Sequence, residues 1–120
     1  MQRSIKFRAW DVKENKMLLA VDICHFPARY KRGKILEQFT GLRDKFGKEI
    51  YEGDIVMVRS QYETDEPTES PNKVYFRNGA FRCGFHDMIL MEDVCTGNNG
   101  NWNMEVIGNI HENPELLGER

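Results

Sequence analysis

Residues 39–56 read Phe-Thr-Gly-Leu-Arg-Asp-Lys-Phe-Gly-Lys-Glu-Ile-Tyr-Glu-Gly-Asp-Ile-Val, with glycines at 41, 47 and 53 between short apolar runs. Glycine accepts positive φ without steric cost, so this spacing predicts successive sharp backbone reversals. Asp44-Lys45-Phe46-Gly47 predicts a tight turn between two short strands, Phe39–Leu42 and Lys48–Tyr51. Glu52-Gly53-Asp54 predicts a second turn, which launches the β-branched run Ile55–Arg59. Ile50, Tyr51, Ile55 and Val56 are the expected core residues, and Glu52 and Asp54 are expected to bond turn amides. A functional alternative makes the rim from Asp44 to Asp54 a partner-binding loop face.

Outward from this stretch the same grammar repeats. Ile5–Trp10 alternates apolar and polar, the sign of a strand with one buried face, and Asp11–Lys16 supplies the turn to a returning strand over Met17–Ile23. Phe26–Lys34 is basic and irregular, and Ile35–Thr40 resumes an extended pattern. Residues 61–73, acidic and proline-containing, predict a mobile loop inside the domain. Val74–Arg77, Asn78-Gly79 and Ala80–Cys83 form a strong hairpin signal, because Asn-Gly suits a type I′ turn. Phe85–Val94 reads equally as strand or short helix, Thr96–Asn103 as loop and Glu105–Ile110 as a last strand. Asn113-Pro114-Glu115 starts like a helical turn, with Asn113 as cap.

Together these readings give a mostly-β class: one small domain, residues 1–120, of short antiparallel strands ending in a helical turn. The short strands and frequent turns fit a sandwich or a small barrel, with a hairpin region expected over 1–38 and a sandwich-like or barrel-like region over 39–112. At 120 residues the chain suits a single core. Its net charge of −2 argues against a protein that wraps duplex DNA, which needs many phosphate-neutralising cations. The first residues hold no apolar run of signal-peptide length, and no window reaches the roughly 18 apolar residues of a membrane span. Cys24, Cys83 and Cys95 are odd in number and lack a Cys-x-x-Cys pair, so a reducing, cytoplasmic setting is expected.

Three blocks carry a family resemblance: Ile5–Asp11, Phe39–Val56 and Val106–Leu117. In that order they resemble the YopX-type proteins of phages and prophages. The resemblance implies a small β-rich accessory protein with an SH3-like barrel in its later part. No catalytic residue or cofactor travels with it. The residues that carry it and read as structural are Trp10, Gly41, Gly47, Tyr51, Gly53, Asp54, Gly108 and Asn109.

Chemistry-bearing patterns are sparse. Cys24-His25 and Cys83…His86 hold zinc-type ligands, but each half gives one Cys and one His, and adjacent strand residues point to opposite faces. No Walker-type or Gly-x-Gly-x-x-Gly phosphate loop occurs. No metal, cofactor or small-molecule substrate is therefore expected, and the chain reads as non-catalytic. Its expected work is contact with an unknown protein partner or with itself. The alternative is single-stranded nucleic acid, held by Arg29, Tyr30, Lys31 and Arg32 and by Arg77 and Arg82 beside Phe76 and Phe81. Small barrels bind single strands by stacking bases on aromatics over a basic groove.

Overall fold

Residues 5–19, 21, 33–60, 69–84, 87–98, 100 and 102–118 are described by the computed structural model. Strand β1 (Phe7–Asp11) turns back into β2 (Lys16–Leu18) through a reversal that Asp11 builds. Its Oδ1 accepts from the Lys13 and Glu14 amides at 3.0 and 3.1 Å, its Oδ2 pairs with Lys34 at 3.3 Å, and Asn15 closes the turn at φ 54°. The Glu14 amide, then Lys34, hold the Asp11 carboxyl below its ordinary 3.8 despite partial burial. A carboxyl lowered on folding supports the fold above its ordinary value and loses that support as pH falls through the folded value. The Lys13 and Glu14 amide shifts should therefore titrate with an NMR midpoint below 3.8. A midpoint at or above 3.8 would show that Asp11 does not hold the turn.

Strand β3 (Lys34–Arg43) pairs with β1 over its first half and with β4 (Glu49–Tyr51) over its second, giving a four-stranded antiparallel sheet in the order β2-β1-β3-β4. The expected boundary at residues 38 and 39 thus falls inside one continuous strand. The glycine rhythm also splits in kind. Gly47 and Gly53 serve reversals, whereas Gly41 sits within β3 where its register with β4 shifts, so it marks a bulge and not the expected reversal.

The second sheet runs β8-β7-β6-β5-β9, with all neighbouring strands antiparallel. Its members are β5 (Asp54–Ser60), β6 (Glu69–Arg77), β7 (Ala80–Cys83), β8 (Met88–Ile89) and β9 (Trp102–Asn109). Asn78 and Gly79 both take positive φ, 51° and 80°, as a type I′ hairpin requires. The expected loop over 61–73 is too long at its far end, because Glu69–Lys73 pair with β5. Residues 61–68 lie outside the described residues. The ambiguous stretch before Val94 divides into β8 and the start of a short helix α1 (Glu92–Thr96), which buries Val94 and Cys95. The expected loop over 96–103 is shorter too, since β9 begins at Trp102.

The apolar core comprises Ile50, Val56, Val58, Val74, Cys83, Leu90, Val94, Cys95 and Met104. Burying each Val, Leu, Ile or Met side chain among them is worth about 1.5–3 kcal/mol. Asp44, 2% exposed, ties the first sheet to the second. Its Oδ1 accepts from the Phe46 and Lys48 amides at 2.9 Å, and its Oδ2 accepts from the Val106 amide of β9 at 2.8 Å. The chain closes with a 3₁₀ turn (Pro114–Leu117) that Asn113 precedes but does not cap with its side chain. That side chain folds back instead, and its Oδ1 accepts from the Asn109 amide at 3.2 Å. Gly108 leaves it room: a Cβ there would lie 2.5 Å from Asn113 Oδ1.

Candidate functional site

Alternation along β1 sets Arg8 and Trp10 on one face, and the register places Glu37 of β3 directly opposite Arg8. The β4–β5 turn brings Tyr51 and Asp54 to the same point, and the turn after β9 brings His111. Arg8 Nε donates to Glu37 Oε1 at 2.9 Å, and its Nη1 pairs with Asp54 Oδ1 at 2.8 Å. Its Nη2 donates to the Glu52 carbonyl at 3.3 Å, and the guanidinium lies 4.7 Å over the Tyr51 ring. Glu37 Oε2 meets His111 Nε2 at 2.8 Å. Trp10 stacks on the His111 ring, with centroids 5.0 Å apart and planes within 8°. Arg8, Glu37 and Asp54 are 7%, 4% and 3% exposed, so this is a buried charge cluster joining both sheets.

Its atoms are spent on one another. Each Glu37 oxygen has its own partner, and Asp54 Oδ2 accepts from the Tyr51 amide at 2.8 Å. Burial pushes the Asp54 carboxyl up, although Arg8 and the Tyr51 amide pull it down. The ion pair therefore does not fully recover the cost of taking that carboxylate out of water. Burial, with Glu49 nearby, also pushes the Tyr51 hydroxyl up and keeps it neutral. What such a closed network does is fix the angle between the sheets.

Gly53 sits against it at φ +87°, where an added Cβ would lie 2.0 Å from Glu37 Oε2. Its amide donates to the Val74 carbonyl at 2.8 Å, and its carbonyl accepts from the Ile110 amide at 2.9 Å. Asn109 finishes the site. Its Oδ1 accepts from the His111 and Glu112 amides at 3.0 and 2.9 Å, which aims His111 inward.

Of the residues picked from sequence, Trp10, Tyr51, Gly53, Asp54, Gly108 and Asn109 converge on or beside this cluster, while Gly41 and Gly47 lie in their bulge and turn. Of the expected rim from Asp44 to Asp54, both end carboxylates are buried and accept from backbone amides, while Phe46 between them is 69% exposed. Arg77 and Arg82 do come together, but around Asp87. Arg77 pairs with the Asp87 carboxylate at 3.4 Å, and Arg82 donates to the Arg77 and Asp87 carbonyls at 2.8 and 3.0 Å. Tyr75 donates to the other Asp87 oxygen. These cations thus clasp the β6–β7 hairpin to the following turn. Arg29, Tyr30, Lys31 and Arg32 lie outside the described residues, as do Cys24, His25 and His86.

Sequence reading missed Arg8, Glu37 and His111 as a unit. Little signal was available: alternation set Arg8 on the polar side of β1, and Glu37 lies in a strand that also holds Lys34, Gln38, Thr40 and Arg43. Burial pushes the Cys83 thiol up to about 11 and the Cys95 thiol up to about 12, so both stay protonated and weakly nucleophilic at neutral pH. In a Cys24→Ser variant, alkylation of both should run at least about tenfold slower than for a free thiol until denaturant is added. Native-state labelling at free-thiol speed, read by mass spectrometry, would contradict that burial. Among the described residues no group of three or more His, Cys, Asp or Glu could hold a metal ion. No described helix is long and apolar enough to cross a membrane.

A family model described as YopX protein matches residues 22–118. Among solved structures, the chain is similar to the crystal structure of protein EF1440 from Enterococcus faecalis, with 28% identity and a TM-score of 0.72. That match covers 97% of this chain and 99% of the other. A search of curated proteins finds no significant match.

Proposed function

We propose that this chain, which belongs to the YopX family, is a non-catalytic accessory protein of phage or prophage origin that works in the cytoplasm by binding a protein partner. The observation that supports this reading is how the ionisable groups are divided. Arg8, Glu37, Asp54 and Asp44 are buried and spent on holding the sheets together, whereas large apolar side chains stand outside. Phe76 is 55% exposed and Ile35 44%, and both border the groove between the two sheets. Buried closed networks serve geometry, and apolar side chains beside a groove serve contact. The meander β5-β6-β7-β8, with β9 returning to β5, supports an SH3-like barrel in the later part.

Affinity purification of tagged protein from infected or induced cells tests the reading. The expected result is a protein recovered by the wild-type chain and lost with Ile35→Asp/Phe76→Asp. The nucleic-acid alternative draws on Phe76 beside Arg77, together with Arg29, Tyr30, Lys31 and Arg32. It predicts binding to a labelled single strand that weakens steeply with salt and fails when Arg29, Lys31 and Arg32 become Ala. Such binding, with no protein captured, would overturn the protein-partner reading. Retention of a captured protein by the double variant would place the contact away from Ile35 and Phe76 and leave protein binding standing.

A further inference from the structure

The groove between the sheets encloses about 260 Å³ and is walled by β3 around Ile35–Glu37 and by β6 around Lys73–Phe76, with Gly53 between them. Backbone register shows what its rims present. The Phe39 amide donates to the Lys6 carbonyl and the Val12 amide to the Gly33 carbonyl, so residues 33, 35, 37 and 39 turn their amides and carbonyls toward β1. Leu36, between them, must turn both groups the other way, into the groove. The β4 partnership begins at Phe39 and does not reach Leu36.

The same parity applies across the groove. The Leu90 amide donates to the Phe81 carbonyl, so Phe81 and Cys83 face β8 while Ala80 and Arg82 face β6. Their partners Arg77 and Tyr75 therefore bond β7, and Phe76 turns its amide and carbonyl toward the β5 side. There β5 has already ended, its pairing with β6 stopping at Ile55 opposite Lys73. Leu36 and Phe76 thus each present an unpaired donor and acceptor at the rims of one groove, with no backbone partner among the described residues.

We infer that this groove takes an extended peptide segment of a partner protein, which adds as a strand along the open edge of β3 or β6. The inference rests on the binding reading above and names the chemistry of its partner. A backbone is the ligand that matches a donor and an acceptor offered from one strand residue. Ile35 and Phe76 call for an apolar side chain on that segment, and exposed Lys73 on the rim calls for an acidic neighbour. Strand edges left open in this way are the usual template for pairing with a second chain.

The test is selection of binders from a random-peptide display library on the purified chain, followed by amide hydrogen exchange by NMR with the best peptide. The expected result is an apolar–acidic consensus, with the Leu36 and Phe76 amides fast in the free chain and protected in the complex. Leu36→Pro removes one edge donor while leaving the bonds of Ile35 and Glu37 to β1, and it should weaken binding at least about tenfold. If that variant does not fold, Phe76→Lys should weaken binding comparably with the backbone unchanged. Binders that protect amides elsewhere would overturn the groove assignment and leave the binding reading standing. Concentration-dependent self-association that protects these two amides would make a second copy the occupant and overturn the inference. No binder from the library, with no protein captured from cells, would remove both readings.

Discussion

Gly53→Ala is expected to abolish most of the folded population at ordinary temperature. Two penalties meet at that residue. A φ of +87° costs a residue with a Cβ roughly 1–2 kcal/mol. The second penalty is steric, since the new methyl would sit 2.0 Å from Glu37 Oε2. A carboxylate at the end of a flexible stem would ordinarily swing aside. This one is held on both oxygens, by Arg8 at 2.9 Å and His111 at 2.8 Å, and is 4% exposed. Moving it breaks a buried ion pair, a loss of about 3–5 kcal/mol. The sum is comparable to the total stability of many domains, about 5–15 kcal/mol. Gly41→Ala is the control, because it has the same φ of +87° and nothing within 4 Å of its added methyl. It should cost only the strain, roughly 1–2 kcal/mol, read as a small shift in the urea midpoint.

Arg8→Ala should produce the second large effect, a loss of about 3–5 kcal/mol, for a different reason. Among the described residues it removes the one cation that faces both Glu37 and Asp54, leaving two carboxylates buried close together. It also uncovers the Tyr51 ring and strips a donor from the Glu52 carbonyl. Arg8→Lys should rescue little, since an ammonium cannot span three acceptors from a planar fork. Equilibrium urea unfolding followed by Trp fluorescence would measure both variants, with Trp10 reporting directly from its stack on His111. A loss below about 1 kcal/mol for Arg8→Ala would mean that the cluster is wet and replaceable.

How much of this could be read from sequence follows from what kind of interaction each feature is. The Asn78-Gly79 hairpin and the turns at Gly47 and Gly53 were legible, because their conformations are set by a few adjacent residues. Ile50, Ile55 and Val56, each fully buried, were legible as core because they lie in short apolar runs set between turn residues. The far end of the 61–73 loop was not. Glu69-Ser70-Pro71-Asn72 has poor strand propensity, and pairing with the apolar strand β5 overrides it. The charge cluster was illegible for a related reason. Arg8, Glu37, Asp54 and His111 span more than a hundred residues of sequence, and only the crossing of two sheets brings them together. The residue types recognised as structural, Trp10, Gly53 and Asn109, turn out to be the supports of that cluster: one stacks on it, one makes room for it and one aims it. Arg77 and Arg82 were expected to point outward to a ligand, and their nearest acceptors lie on their own hairpin and the turn that follows it.

The central claim is that Glu37, clamped between Arg8 and His111, is what Gly53 makes room for, and that this contact locks the two sheets together. A double-mutant cycle between Glu37→Ala and Gly53→Ala, run by urea unfolding in a stabilising osmolyte, tests it directly. Once the carboxylate is gone, the Gly53→Ala penalty should fall to the backbone strain seen at Gly41, giving a coupling energy of at least about 2 kcal/mol. Penalties that simply add, within about 0.5 kcal/mol, would contradict it.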